Sequence, residues 1–166
     1  MAVKRAPTAG RTIDDYIAEI LVTCPVCSGV STVKSKGGFG LARLTCELCG
    51  FTKSKAVRSY SLGAAEDPYF GLPLWLQTPC ATQTLWAYNL DHLSFLKQFV
   101  EATDRRRPFR SPAGPLNQLL GSRLPKWMQL SKNRDQVLKA IARIETKVER
   151  PANKGMQPSA QKTRRG

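Results

Sequence analysis

Two Cys-x-x-Cys clamps, Cys24-Pro25-Val26-Cys27 and Cys46-Glu47-Leu48-Cys49, stand 18 residues apart. A thiolate is a soft donor, and a two-residue gap lets both sulfurs of a clamp reach one centre. Two clamps complete a four-sulfur tetrahedron. A closed set of this kind leaves no coordination position for water, so the metal, one Zn2+ by the usual ligand preferences, is structural and not catalytic. Iron takes the same four thiolates, and the spacing alone leaves that alternative open. A pair of disulfides is disfavoured because Met1 to Pro7 contains no apolar signal core, and disulfides belong to oxidising compartments.

Cys80 and His92 invite a second chemical reading as a thiol activated by an imidazole. No third orienting residue and no oxyanion motif accompany them, and two ligands are too few for a metal site. The sequence also lacks a phosphate-binding glycine motif, a His-Glu-x-x-His and a serine elbow. We therefore expect no enzyme and no small-molecule substrate, with a Cys80-dependent activity as the least favoured alternative.

The segments that must position the cysteines read as strands. Ile20 to Thr23, Ser31 to Val33, Leu41 to Thr45 and Phe51 to Ser54 are rich in β-formers and partly alternate. Gly29 and Gly50 follow their clamps where the chain must turn, and are expected to supply positive φ. Lys36 to Gly40 forms the loop between the clamps, with Phe39 either folded back onto a small core or presented beside positive charge as a stacking platform. This order of strand, knuckle, strand, loop, strand, knuckle, strand, with Cys-Pro-x-Cys and Cys-x-x-Cys-Gly-Phe, resembles the zinc ribbons over roughly 20–60. Ser28 departs from that pattern at a position where many ribbons carry glycine, a departure that Gly29 is expected to offset.

Lys and Arg number 26 against 12 Asp and Glu, a formal charge of +14. Such a balance points to a polyanionic partner, nucleic acid being the common one. Residues 1–60 carry 9 basic and 4 acidic side chains, 61–100 carry 1 and 3, 101–150 carry 12 and 5, and 151–166 carry 4 and 0. The middle is thus neutral to acidic, and it concentrates the aromatics, from Tyr60 and Tyr69 to Phe95 and Phe99. Around the cysteines, Lys34, Lys36, Arg43, Lys53, Lys55 and Arg58 partly offset the thiolate charge, and all but Arg58 are placed among the candidate phosphate contacts.

Beyond the second clamp, Ser61 to Pro68 reads as a linker, and Tyr69 to Leu76, interrupted by Pro73, as an extended apolar segment or edge strand. Leu85 to Tyr88 suits a short strand. Asp91 is the expected N-cap of a helix from His92 to about Thr103, with Leu93, Leu96, Phe99 and Val100 at helical spacing. Residues 104–115, with Arg105, Arg106, Arg107 and Arg110 among three prolines, read as a mobile basic linker. Short helical pieces are expected over 116–120 and 125–130, Pro125 taking the first helical position. A capping box of Asn133 and Gln136 should open a last helix running to about Glu149. On it Val137, Leu138, Ile141, Ile144 and Val148 share one side, while Lys139, Arg143, Lys147 and Arg150 form a basic stripe on the other. That stripe and the arginine linker complete the candidate phosphate-binding set.

The expected class is α+β: a disordered basic tail (1–11), a metal-binding unit (12–60) opened by a short helix near Ile13 to Ile20, an aromatic-rich α+β unit (61–103), the linker (104–115), C-terminal helices (116–150) and a second disordered basic tail (151–166). No apolar stretch approaches membrane-spanning length. The two knuckles with Asp67 to Leu76, Thr84 to Asn89 and Ser122 to Met128 are similar to bacterial proteins described as TFIIB-type zinc-ribbon-containing. This second resemblance covers about 20–150 and implies a bacterial cytoplasmic protein, without implying an activity. The favoured function is non-enzymatic nucleic-acid binding, to DNA or RNA, through the basic surfaces. The alternative is an adaptor that docks a protein on the aromatic middle.

Overall fold

The computed structural model describes residues 12–36, 39–102 and 124–149. The expected tails, the arginine linker with Arg105, Arg106, Arg107 and Arg110, the helical piece over 116–120, and Arg150 lie outside the described residues.

Chain alternation decides the first half. A short helix α1 (Asp14–Ile17) leads into β1 (Glu19–Thr23), β2 (Val30–Lys34), β3 (Gly40–Thr45) and β4 (Thr52–Val57), an antiparallel sheet in sequential order. Ile20 opposes Val33, and Val33 opposes Leu44, so one face of β1, β2 and β3 is a continuous apolar surface. α1 stops short of the expected Ile20 because that side chain is needed inside the sheet at 0% exposure.

β1 also pairs outward on its other edge. The Leu21 N–H donates to the Tyr88 carbonyl at 2.8 Å, the Leu21 carbonyl accepts from the Trp75 N–H at 2.9 Å, and Val22 bridges antiparallel to Leu74. The extended reading of the segment through Pro73 therefore holds, with Leu74 docked on β1. A second hairpin follows, β5 (Leu76–Cys80) with β6 (Gln83–Ala87), then α2 (Leu90–Glu101), α3 (Lys126–Gln129), a 3-10 turn (Ser131–Asn133) and α4 (Arg134–Glu149). The protein is mixed helix and sheet, and α4 packs against β5 and α2.

One core spans both halves, from Tyr16 and Ile20 through Leu76 and Leu96 to Ile144. It runs unbroken past the boundary expected near 61. The Tyr69 hydroxyl donates to the Ile17 carbonyl at 3.1 Å and accepts from Ser35 Oγ at 2.8 Å, tying the aromatic segment to α1 and to the end of β2. Asp67, expected at the end of a linker, is instead buried, its carboxylate accepting the Tyr69, Phe70 and Leu72 amides at 2.7–2.9 Å. By accepting three amides in one stretch the carboxylate fixes the turn.

Capping differs from expectation in three places. Asn89, not Asp91, caps α2: its side chain accepts the His92 N–H at 2.8 Å and its amide donates to the Tyr16 and Glu19 carbonyls. A second task, latching α2 to the α1–β1 junction, selects the asparagine. Pro125 is the N-cap of α3, one position before the expected one. Asn133 belongs to the 3-10 turn ahead of α4, and its amide donates to the Trp127 carbonyl at 2.8 Å. Among the described residues no helix is long and apolar enough to cross a membrane.

Candidate metal centre

The turns after β1 and β3 bring Cys24, Cys27, Cys46 and Cys49 together, with all four Sγ atoms within 4.8 Å of one another. Cys24 and Cys49 sulfurs are 3.7 Å apart, and Cys27 and Cys46 sulfurs 3.6 Å. A disulfide would need about 2.05 Å. Four sulfurs at about 2.3 Å from one tetrahedral metal stand about 3.8 Å apart, so the set fits such an ion.

Each clamp is a backbone turn. Ser28 N–H donates to the Cys24 carbonyl at 3.0 Å, and Gly50 N–H to the Cys46 carbonyl at 2.9 Å. Gly50 takes φ +74, as expected, but in the first knuckle Ser28 itself adopts the left-handed conformation at φ 58. Gly29 has no positive φ, so it does not offset Ser28. It serves a different need: a Cβ there would run into Leu48 Cδ1 and lie 3.4 Å from Cys27 Sγ.

Proton affinity within the cluster is uneven. Burial works against ionisation of Cys46, yet the Ser31 hydroxyl and the Cys49 amide outweigh it and bring the thiol down to about 6. Cys24 is lowered in the same sense, against burial, by the Cys27 and Val26 amides. Cys49, despite the Phe51 amide, is pushed up to about 12 by burial and the other three sulfurs, and Cys27 is raised as well. Cys24 and Cys46 thus favour the thiolate and Cys27 and Cys49 the thiol, an imbalance that a divalent cation would relieve. Ser31, 2% exposed, lies close enough to lower Cys24 and Cys46, although its buried Oγ makes no hydrogen bond of normal geometry among the described residues, and spacing alone does not reveal it.

The basic residues around the centre do not form one surface. Lys34 opposes Arg43 across β2 and β3 on the outer face, while Lys53 and Lys55 oppose Leu44 and Ala42 and so lie on the core side of the edge strand β4. Lys55 donates to the Tyr69 carbonyl at 2.8 Å, a structural task. Lys34 pairs with Glu19 at 3.3 Å, both side chains more than half exposed, so the contact is weak. Lys36, Arg43, Lys53 and Arg58 are exposed. Phe39 is 68% exposed and meets only the edge of Tyr60 among the described rings, at 5.6 Å, so it does not fold back into the core.

On α4 two members of the expected stripe also make contacts across the fold. Arg143 donates to the Pro79 carbonyl, and Lys147 donates to the Trp75 carbonyl at 2.8 Å with its ammonium 3.9 Å from the centre of the Trp75 ring. Arg143 thus reaches β5 and Lys147 the residue that precedes it, while both side chains, like that of Lys139, stay exposed. Glu145 pairs not within its helix but with Lys97 of α2, at 2.9 and 3.1 Å.

Cys80 and His92 have separate surroundings. The Cys80 thiol is buried against the Gln136 carbonyl at 3.6 Å, and burial raises its pKa. His92 Nδ1 accepts the Tyr88 N–H at 3.2 Å, and the ring stacks on Tyr88 at 5.5 Å. No family model, curated protein or solved structure matches this chain.

Proposed function

We propose that the chain is a non-enzymatic zinc-ribbon protein that binds nucleic acid by its phosphates. The observation that carries this reading is the segregation of charge. Of the 26 basic side chains, 13 fall in the sequence segments 1–11, 103–123 and 150–166, with one acidic residue among them, Asp104, so these segments carry +12 of the +14. A charge spread evenly for solubility would not concentrate in this way, whereas strongly basic segments suit a polyanion whose charges repeat at close spacing. Lys34 and Arg43, side by side on the outer sheet face, and Phe39 near Arg58 extend the basic surface onto the folded body.

The metal is zinc and its role structural, supported by the four-thiolate set with no open position. Such a set stays reduced in the cytoplasm, the setting we assign. Docking of a protein on the aromatic middle has less support, since Tyr69 and Tyr88 are buried in the core.

The test is a gel-shift comparison on zinc-assayed protein with mixed-sequence RNA and DNA of equal length. Changing Arg105, Arg106, Arg107 and Arg110 together to Gln is expected to weaken binding to both by an order of magnitude or more, as neutralising about four phosphate contacts should. An unchanged shift, or no shift for the wild type, overturns the reading.

A further inference from the structure

A shallow, open recess lies where the start of β3 meets the chain that leaves β4, with Phe39, Arg58, Ser59, Tyr60 and Ser61 among its lining residues. Gly40, at φ +121, opposes Val57, so Phe39 and Arg58 follow at the same end of this strand pair. Phe39 is 68% exposed, and Leu41, two residues on, is 64% exposed.

A single apolar side chain at a surface is ordinary. Phe39 differs because a second, anchored ring backs it. Tyr60 meets it edge-on at 5.6 Å, packs on the buried Tyr69 at 6.2 Å, and donates its hydroxyl to Asp14 at 3.4 Å. Folding therefore leaves an aromatic ring in water beside an exposed guanidinium, and none of the described residues lining the recess is acidic. A purely apolar partner would cover Arg58 without pairing its charge. An unpaired nucleotide satisfies both groups, since its base offers a flat π face and its phosphate a bidentate acceptor. Bases within a duplex are already paired and stacked, and extracting one costs a few kcal/mol.

We infer that this recess is a stacking site for one unpaired nucleobase of a single strand, with Phe39 against the base and Arg58 on the adjoining phosphate. The inference rests on the phosphate-binding reading above and adds to it a contact that a duplex does not offer. Ser59 and Ser61 carry hydroxyls that both donate and accept, so the site tolerates any base. From Gly40, Arg43 lies about 10 Å further along β3 at the usual rise, beside Lys34, so a strand leaving the recess along the sheet meets further cations.

The test uses the full-length, zinc-loaded protein at low salt and three labelled probes of equal length. These are single-stranded oligothymidylate, the same strand paired with oligoadenylate, and a single strand of abasic sites, which keeps the phosphates and lacks the bases. Wild type is expected to bind oligothymidylate about fivefold or more tighter than the abasic strand, the lower end of what one stacked base supplies. Phe39→Ala should remove that difference while leaving the abasic strand and the duplex within about twofold of wild type, because the phosphate contacts persist. Phe39→Trp should restore it, and zinc content assayed in each variant checks that the fold is intact. Equal binding of the ordinary and abasic strands by wild type, or a difference that survives Phe39→Ala, overturns the stacking site and leaves phosphate binding in place. No binding of any probe overturns phosphate binding itself, and this site with it.

Discussion

The Lys147 ammonium lies 3.9 Å from the centre of the Trp75 ring and donates to the carbonyl of the same residue at 2.8 Å. A cation that looks, by helical periodicity, like a free phosphate ligand is thereby engaged in joining α4 to the chain that enters β5. Lys147→Ala should lower unfolding free energy by about 1–2 kcal/mol, the sum of a cation–π contact and one hydrogen bond. It should leave nucleic-acid affinity within about twofold of wild type, less than the effect of losing one phosphate contact. Chemical denaturation together with a binding isotherm checks both halves. Weakened binding with unchanged stability would return Lys147 to the phosphate-binding set.

At the metal centre the two knuckles differ by one residue, Ser28 at φ 58 against Gly50 at φ +74. A side chain in the left-handed region costs about 1 kcal/mol, which glycine avoids at some cost in unfolded-state entropy. Ser28→Gly should therefore tighten metal binding slightly, and Gly50→Ala should weaken it by about fivefold, the equivalent of that 1 kcal/mol. Competition with a chromophoric chelator measures both. A Gly50→Ala protein that holds zinc as well as wild type would show that the turn tolerates a Cβ.

Acid should destabilise the fold through His92 even with metal in excess. His92 is held at about 4 in the folded protein by burial, against 6.5 for the ordinary imidazole. With the folded value depressed, the unfolded chain takes up the proton first. Stability is complete above pH 6.5, and it falls as the pH drops towards about 4. Between about pH 7.5 and 5.5 the loss is on the order of 1 kcal/mol. Denaturation midpoints in excess zinc across that window should show the slope in wild type and not in His92→Gln. The same slope in both proteins would assign it to other groups.

Much of the metal-binding half is legible in the sequence because its determinants are local. Alternation placed Ile20, Val33 and Leu44 on one face, and the spacing of Cys24, Cys27, Cys46 and Cys49 brings four sulfurs to one point. What periodicity does not carry is the reach of a side chain across the fold. Asp91 reads as the cap from its place before the apolar run, whereas Asn89 takes the position and its amide also binds two carbonyls from the α1–β1 junction, about 70 residues earlier in sequence. Asp67 beside Pro68 carries a linker signature, yet the carboxylate closes a buried turn through three amides. Arg143 and Lys147 lie on the polar side of α4, and only the position of Trp75 and of β5 supplies the carbonyls they bind at the surface. In each case the missing information is a tertiary partner, which no window of neighbouring residues contains.

The central claim is that this protein grips a polyanion through the basic charge concentrated in 1–11, 103–123 and 150–166, together with Lys34 and Arg43. The most direct measurement is the affinity of the zinc-loaded full chain for a labelled single-stranded oligonucleotide at potassium chloride concentrations from about 50 to 200 mM, where counterion release governs binding. We predict a straight fall of log affinity with log salt, a loss of at least about tenfold over that range, and a shallower slope when Lys34 and Arg43 are both changed to Gln. Affinity that is flat with salt, or no binding at the lowest salt, would contradict the account.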